Sequence, residues 1–151
     1  MKAIVYTKYG SPDVLQLKEV EKPTPKDNEV LIKIHATTVN RTDCATRKAE
    51  PFFARFFTGL IRPKKTILGT EFAGEIEAVG KDVTSFKVGD KVFGFSGNDF
   101  GAHAEYMTMP EDGFLTTMPS NMTYEEAAPS TEGAYYAHSF IRIAKIGRAH
   151  V

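Results

Sequence analysis

The sequence predicts a mainly β fold, either a sandwich or a partly open barrel, with short helices that become prominent near the C-terminal end. Three features support this prediction: short apolar segments with alternating polarity, turns that contain Gly and Asp, and a helix-capping sequence late in the chain. The 151 residues are 42% hydrophobic and 25% charged, which is typical of a folded globular domain rather than a disordered or fibrous chain.

The clearest strand signal lies in residues 30–36, where Ile32 and Ile34 fall on one face while Lys33 and His35 fall on the other. A period of two is typical of a half-buried strand, because successive side chains of a strand point to opposite faces. Further strands are predicted at residues 3–6, 14–18, 71–79, 92–95 and 102–109.

Residues 41–66 interrupt the strand pattern and are predicted to form a long excursion with at most one helix. Four phenylalanines share a spacing that fits one short amphipathic helix, and they are interleaved with basic residues. We interpret this segment as a lid over an apolar substrate pocket, in preference to an inert loop or a surface for single-stranded nucleic acid. The residues concerned are Phe52, Phe53, Phe56, Phe57, Arg55, Arg62, Lys64 and Lys65.

The end of the chain is predicted to be helical. Thr123 and Glu126 have the spacing of a capping box, and Pro129 is expected to end the short helix that follows. A second helix is predicted from about Thr131 to Ala144, with an apolar stripe on one side. The stripe consists of Ala134, Ala137, Ile141 and Ala144.

Composition excludes several classes of protein. Lys plus Arg and Asp plus Glu each number 19, so the formal net charge is zero and no overall basic field attracts nucleic acid or anionic lipid. The single cysteine, Cys44, cannot form an internal disulfide, which suits a reducing compartment. Neither a secretory signal nor 18 consecutive apolar residues occur in this sequence. We therefore expect a cytoplasmic protein without nucleic-acid or membrane partners.

Three segments in register resemble the N-terminal GroES-like domain of the medium-chain dehydrogenase/reductase superfamily, and the zinc-independent quinone oxidoreductase type in particular. They are residues 38–43 (TVNRTD), 68–80 (LGTEFAGEIEAVG) and 86–94 (FKVGDKVFG). The resemblance extends from residue 1 to about residue 145. It implies a GroES-like, partly open β-barrel with short helices, ending in the first helix that leads to a Rossmann domain.

The resemblance also bears on metal binding. Zinc-dependent members of the superfamily carry a cysteine where this chain has Asn40 and a histidine where it has Thr70. Zinc requires thiolate, imidazole or carboxylate ligands, and neither an amide nor a hydroxyl replaces them well. A single cysteine also excludes the four-cysteine structural zinc lobe of some relatives. The sequence therefore predicts a site without a metal.

The resemblance implies that Asn40 lies near the nicotinamide of a cofactor, where its amide can hydrogen-bond the cofactor or a substrate carbonyl. Tyr135 takes the position of a threonine that lies near the cofactor in relatives, so it is a second cofactor-binding candidate. Asp43, Thr70 and Glu71 are candidates for the substrate pocket, and no catalytic residue is assigned. The residues themselves leave a structural alternative open: Asn40 as a local turn former and Asp43 as a helix cap.

We expect three parts: a GroES-like catalytic domain at residues 1–122, the start of a crossover to a cofactor-binding domain at 123–145, and a non-native tail at 146–151. A cofactor-binding half would contain a Gly-rich turn that opens a helix, and the sequence has no G-x-G-x-x-G. We therefore interpret the chain as the truncated N-terminal part of a longer protein.

By resemblance, the parent protein is a metal-free oxidoreductase that uses NADPH or NADH to reduce a small conjugated carbonyl or quinone. The parent is compatible with a homodimer, and the fragment alone is expected to be inactive. Two alternatives remain at this point. One is a stand-alone GroES-like module for binding or assembly, and the other is a fragment of a zinc alcohol dehydrogenase.

Overall fold

The computed structural model describes residues 1–144, except for the side chains of residues 54 and 98. The predicted tail at 146–151 and residue 145 of the predicted crossover therefore lie outside the described residues. The boundary after residue 122 stays a prediction.

The fold is mainly β, as predicted, and all the strand pairs described are antiparallel. A five-stranded sheet has the order β6-β3-β4-β5-β7, and β1 and β2 form a separate two-stranded ribbon. Isolated bridges from Ala3 to Ala104 and from Val5 to Ile67 join the ribbon to the rest. The edge strands β6 and β7 are not paired with each other, so the strands make a partly open rather than a closed structure. The strands are β1 (Lys2–Val5), β2 (Gln16–Glu19), β3 (Glu29–Thr37), β4 (Glu71–Val79), β5 (Lys91–Phe95), β6 (Tyr106–Pro110) and β7 (Leu115–Thr117).

The main core lies on one face of the large sheet. The predicted alternation in β3 is confirmed there: Ile32 is fully buried, whereas Lys33 and His35 are exposed. Two irregularities in the pairing of β3 with β4 interrupt this pattern, and Leu31 is buried as well. The fully or nearly fully buried members of this core are Val30, Ile32, Phe72, Ile76, Val92, Ala102, Met107 and Met109.

The first half of β4 is buried on both faces, which explains its small residues. Phe72 packs into the main core, while Ala73 on the opposite face contacts Ala127 and Ala128. These two alanines belong to the helical segment near the end of the chain, which therefore covers the outer face of the sheet. Four helices are described: α1 (Arg41–Lys48), α2 (Arg55–Thr58), α3 (Tyr124–Ala127) and α4 (Thr131–Ile143). No helix among residues 1–144 has the length and apolar character needed to cross a bilayer.

The prediction of at most one helix in residues 41–66 is wrong. The segment contains α1, a 3-10 turn at Phe52–Ala54 and α2. Helix α1 was missed because its only apolar side chains are Cys44 and Ala45, so it has no apolar stripe to detect. Capping rather than burial defines its start, since Asn40 and Asp43 form a reciprocal capping box.

Two other expectations about packing are wrong. The four phenylalanines of the predicted lid are 63–77% exposed, so they do not form the buried face of an amphipathic helix. The capping box at Thr123 and helix α4 are confirmed, but the predicted stripe of α4 does not pack: Ala134, Ala137 and Ile141 are exposed. Strand β7 was not predicted, and β2 and β6 begin later than expected, at Gln16 and Tyr106.

Candidate active site

Polar side chains from three chain segments meet where α1, β4 and α4 begin. We call this group the polar junction. The polar junction forms at one end of the β3–β4 pair. The residues just before α1 and just before β4 converge there with the first residues of α4. Its members are Thr38, Asn40, Thr42, Thr70, Glu71, Thr131 and Glu132.

Asn40 is the centre of the polar junction. Its Oδ1 accepts from the backbone N–H of Asp43 at 3.1 Å, which caps α1. Its Nδ2 donates to Thr70 Oγ1 at 2.7 Å and to Glu132 Oε2 at 2.5 Å. Asn40 and Thr70 are therefore in direct contact, and both amide hydrogens of Asn40 have acceptors.

Glu71 is committed to internal hydrogen bonds. Its Oε2 accepts from Thr38 Oγ1 at 2.6 Å, and its Oε1 accepts from the Glu132 backbone N–H at 2.8 Å and from Thr131 Oγ1 at 3.2 Å. The residue is only 4% exposed. Its carboxylate thus faces the polar junction rather than open space, which limits its use as a direct substrate contact.

Asp43 stabilises the loop beneath the polar junction. Its Oδ1 accepts from the Gly69 N–H at 2.9 Å, and its Oδ2 accepts from the Asn40 N–H at 3.1 Å. His103 approaches the same carboxylate at 3.8 Å, and its Nε2 lies 2.8 Å from the Thr38 carbonyl. The capping role considered for Asp43 is present, and the contact with Gly69 adds a tertiary role that spacing alone could not indicate.

Gly69 is required at this loop for two reasons. Its φ is +95°, a conformation that side-chain-bearing residues rarely adopt. A Cβ at this position would also lie 2.6 Å from the backbone nitrogen of His103. This close approach lets the 68–70 loop bring Thr70 under Asn40.

Four members of the polar junction were not predicted: Thr38, Thr42, Thr131 and Glu132. Glu132 accepts from Thr42 Oγ1 at 2.8 Å as well as from Asn40, so its carboxylate links α4 to the start of α1. The only sequence signal was their proximity to Asn40 or to the start of a predicted helix, and that signal does not distinguish a tertiary contact from a local cap.

Tyr135 lies three residues after Glu132, on the next turn of the same side of α4. Its ring packs in an aromatic cluster, with its centroid 4.7 Å from that of Phe114 and 5.8 Å from that of Phe95, and Tyr136 joins the cluster. The residue is 37% exposed, so one part of the ring remains accessible.

A groove of about 610 Å³ lies beside α1, on the side of the β1–β2 ribbon. Apolar side chains line most of it, with Asp43, Cys44, Arg47 and His103 at its polar part. Sequence reasoning did not predict this groove, because it forms between elements that are distant in the chain. Within residues 1–144, no group of three or more His, Cys, Asp or Glu side chains is placed to hold a metal ion.

Tyr6, which lies close to Asp43, has a strongly shifted pKa. Burial raises the pKa of Tyr6 to about 12, and the neighbouring Tyr9 and Asp43 add to the shift because a second negative charge is unfavourable there. Tyr6 is 1% exposed and packs with Val14, Leu68 and Phe100. Its hydroxyl therefore stays neutral in the folded protein well above pH 10.

Comparison with known proteins identifies clear relatives. Residues 26–120 match the family described as the alcohol dehydrogenase GroES-like domain. A quinone oxidoreductase of Sus scrofa is 38% identical over 130 residues, covering 85% of this chain and 36% of that protein. A chloroplastic NADPH-dependent alkenal/one oxidoreductase of Arabidopsis thaliana is 34% identical over 136 residues, covering 85% of this chain and 33% of that protein.

A solved structure of a protein of the same kind also matches this chain. The quinone oxidoreductase from Coxiella burnetii superposes with a TM-score of 0.84 at 31% identity, covering 97% of this chain and 45% of that chain. This chain spans about a third of the length of the two curated relatives.

Replacing Asp43 tests the support of the polar junction. We expect Asp43→Ala to lower the free energy of unfolding by about 2–4 kcal/mol, because it leaves the N–H groups of Asn40 and Gly69 without their acceptors in a buried loop. Urea denaturation measures the effect. Asp112→Ala, at an exposed position, is the control and is expected to change stability by less than about 0.5 kcal/mol. Equal effects of the two substitutions would contradict the assigned role.

The pKa of Tyr6 predicts a loss of stability at alkaline pH. In the unfolded chain Tyr6 ionises near its ordinary pKa of 10.0, whereas in the folded protein it retains its proton up to about pH 12. Its contribution to stability is therefore complete below pH 10, and it is lost as the pH rises from 10 to 12, at up to about 1.4 kcal/mol per pH unit. Urea denaturation across this range should give a shallower decline for Tyr6→Phe than for the wild type. The exposed Tyr136→Phe serves as the control, and identical slopes for Tyr6→Phe and the wild type would refute the prediction.

Proposed function

This chain belongs to the alcohol dehydrogenase GroES-like domain family, in the quinone oxidoreductase-like part of the medium-chain dehydrogenase/reductase superfamily, and from this we propose that it is the substrate-side domain of an NAD(P)H-dependent oxidoreductase. The proposed substrates are quinones and conjugated carbonyl compounds. Two relatives carry names of this kind, a quinone oxidoreductase and an NADPH-dependent alkenal/one oxidoreductase.

The observation that carries the proposal is the hydrogen bond between Asn40 Nδ2 and Thr70 Oγ1. Zinc-dependent members of the superfamily place their metal ligands at these two positions, whereas this chain pairs a neutral amide with a neutral hydroxyl. Such groups bind zinc poorly and suit a neutral organic group instead. We therefore propose a reaction that does not use a metal.

The residues around Asn40 are compatible with a nicotinamide. Asn40 Oδ1 accepts one hydrogen bond, from the Asp43 N–H, and a carbonyl oxygen has two lone pairs, so it can accept a second from a carboxamide. Tyr135, one helical turn beyond Glu132, packs with Phe95 and Phe114 in a cluster of mutually tilted rings. In this proposal Asn40 and Tyr135 hold and orient the nicotinamide, and the aromatic cluster excludes water from it. When bound, the reduced nicotinamide supplies the hydride.

Asp43, Thr70 and Glu71 have supporting roles in this proposal. Thr70 fixes the amide plane of Asn40, while Asp43 and Glu71 maintain the loop and the helix that surround it. Thr70 is fully buried and Glu71 nearly so, which favours a positioning role over direct contact with substrate.

We infer NADPH as the cofactor in preference to NADH, and the name of the Arabidopsis relative supports this choice. We further propose a cytoplasmic parent protein, which is compatible with the single cysteine of this chain, and a homodimeric state. The zero net charge supports the absence of nucleic-acid and membrane partners.

The activity can be tested with this chain extended by its downstream coding sequence. We expect the extended protein to oxidise NADPH with menadione or methyl vinyl ketone, and not with butanone, which lacks the conjugated double bond. A zinc chelator should leave the rate unchanged, and the 151-residue chain alone should give no turnover.

Two outcomes would contradict this proposal in distinct ways. Oxidation of simple alcohols that is lost on chelation and restored by zinc would favour the zinc dehydrogenase alternative. Failure of the extended protein to bind any nicotinamide nucleotide would favour the stand-alone binding module.

Asn40 can be tested separately from its role as a helix cap. In the extended protein, Asn40→Ser keeps an oxygen that can cap α1 but removes the amide, so the fold is retained while the KM for NADPH rises roughly tenfold, as loss of one hydrogen bond predicts. Steady-state kinetics measures KM, and thermal unfolding checks the fold. Asn121→Ala, at an exposed position, is the control. An unchanged KM in Asn40→Ser would remove Asn40 from the proposed cofactor site.

A further inference from the structure

We propose that Glu71 is a positioning residue that caps the N-terminus of α4 from strand β4 and thereby fixes the first turn of α4 against Asn40. The consequence for a bound nicotinamide rests on the proposed function, whereas the capping itself does not.

Helix α4 lacks a cap of its own. The first N–H groups of any helix have no partner within the helix and require external acceptors. Ser130, at the N-cap position, has φ −84° and ψ −9° rather than an extended conformation, and its side chain accepts no capping hydrogen bond. Its Oγ donates instead to the Ala127 carbonyl at 2.7 Å. The N-cap side chain of α4 therefore supplies no acceptor for the first N–H groups of the helix.

Glu71 supplies that acceptor. Its Oε1 accepts from the N–H of Glu132, the second residue of α4, at 2.8 Å, and from Thr131 Oγ1 at 3.2 Å. A carboxylate at a helix N-terminus is favourable because the aligned peptide dipoles place partial positive charge there. Thr38 Oγ1 donates to the other carboxylate oxygen at 2.6 Å, so both oxygens of this buried group have donors.

Beyond its first turn, α4 is held by the partly exposed rings of Tyr135 and Tyr136, which pack against Phe95 of β5. None of the residues of α4 is buried, and Ala134, Ala137 and Ile141 are exposed. The first turn is different, because Glu132 is bound at both ends: its N–H by Glu71, and its carboxylate by Asn40 and Thr42.

This arrangement ties the start of α4 to β4 and to the start of α1. It therefore sets the position of Glu132, which hydrogen-bonds Asn40, and of Tyr135 on the next turn. Loss of the Glu71 carboxylate would remove the acceptor of the Glu132 N–H and loosen the first turn of α4, although the helix beyond it would still form.

The decisive test uses the 151-residue chain and needs no activity. Amide hydrogen exchange is measured at residues 131–136 and, for comparison, at the buried core residue Ile76. We expect Glu71→Ala to accelerate exchange at 131–136 by roughly tenfold relative to Ile76, as loss of a helix cap predicts. Glu71→Gln retains one acceptor oxygen and should accelerate exchange less. It should also shift the Glu132 amide proton upfield, because a neutral acceptor replaces a charged one.

Glu77→Gln is the matched control. Glu77 lies on the same strand, is exposed and pairs with Lys22 at the surface. It should leave exchange at 131–136 and the Glu132 amide proton unchanged. The proposal is overturned if Glu71→Ala accelerates the amides of α4 and Ile76 equally, which would indicate a general loss of stability, or if Glu71→Gln leaves the Glu132 amide proton in its wild-type position.

A second measurement addresses the consequence for the cofactor. In the extended protein, Glu71→Gln should lower kcat roughly tenfold with less than about a twofold change in the KM for NADPH, since Glu71 acts on orientation and not on direct binding. Equal changes in both constants would contradict positioning. If the wild-type extended protein has no activity, the proposed function fails while the exchange result still decides the role of Glu71.

Discussion

The arrangement of this molecule depends on two buried carboxylates, each of which must be fully hydrogen-bonded. This requirement constrains the positions of the segments that supply the hydrogen-bond donors. Asp43 and Glu71 are 2% and 4% exposed, and their partners are mostly backbone N–H groups and hydroxyls. Desolvating a carboxylate is costly unless several donors surround it. The donors come from the start of α1, the 68–70 loop and the start of α4, so these three segments must meet at one place.

The sheet provides the platform on which that meeting occurs. Phe72 and Ile76 anchor β4 in the main core, while Ala73 on its other face allows the helical segment around Ala127 to approach closely. Glu71 begins the same strand, so its carboxylate is held by a rigid, doubly covered element. The packing of β4 thus positions Glu71, which suits a function that depends on orientation.

The neutral Asn40–Thr70 pair connects the structure of the polar junction with its proposed chemistry. Asn40 and Thr70 contact each other through an amide and a hydroxyl, and the nearby charges of Glu71 and Glu132 are taken up by hydrogen bonds. Apolar residues on α4 and in the Phe-rich segment at 52–57 are exposed, whereas the polar groups of the junction are hydrogen-bonded. The interpretation of that segment as a lid remains a prediction.

The sequence by itself determined the features that depend on local chemistry: the alternation around Ile32, the capping box at Thr123 and the motifs that indicate the family. It indicated Asn40 and Thr70 as site candidates only through the resemblance. Helix α1 escaped prediction because it has no apolar stripe, and Thr42 and Glu132 escaped it because they are 90 residues apart and each looks like an ordinary polar residue. Only the tertiary structure decided that Glu71 caps α4 and that the phenylalanines near residue 55 are exposed, because such contacts join distant segments and leave no periodic signal along the chain.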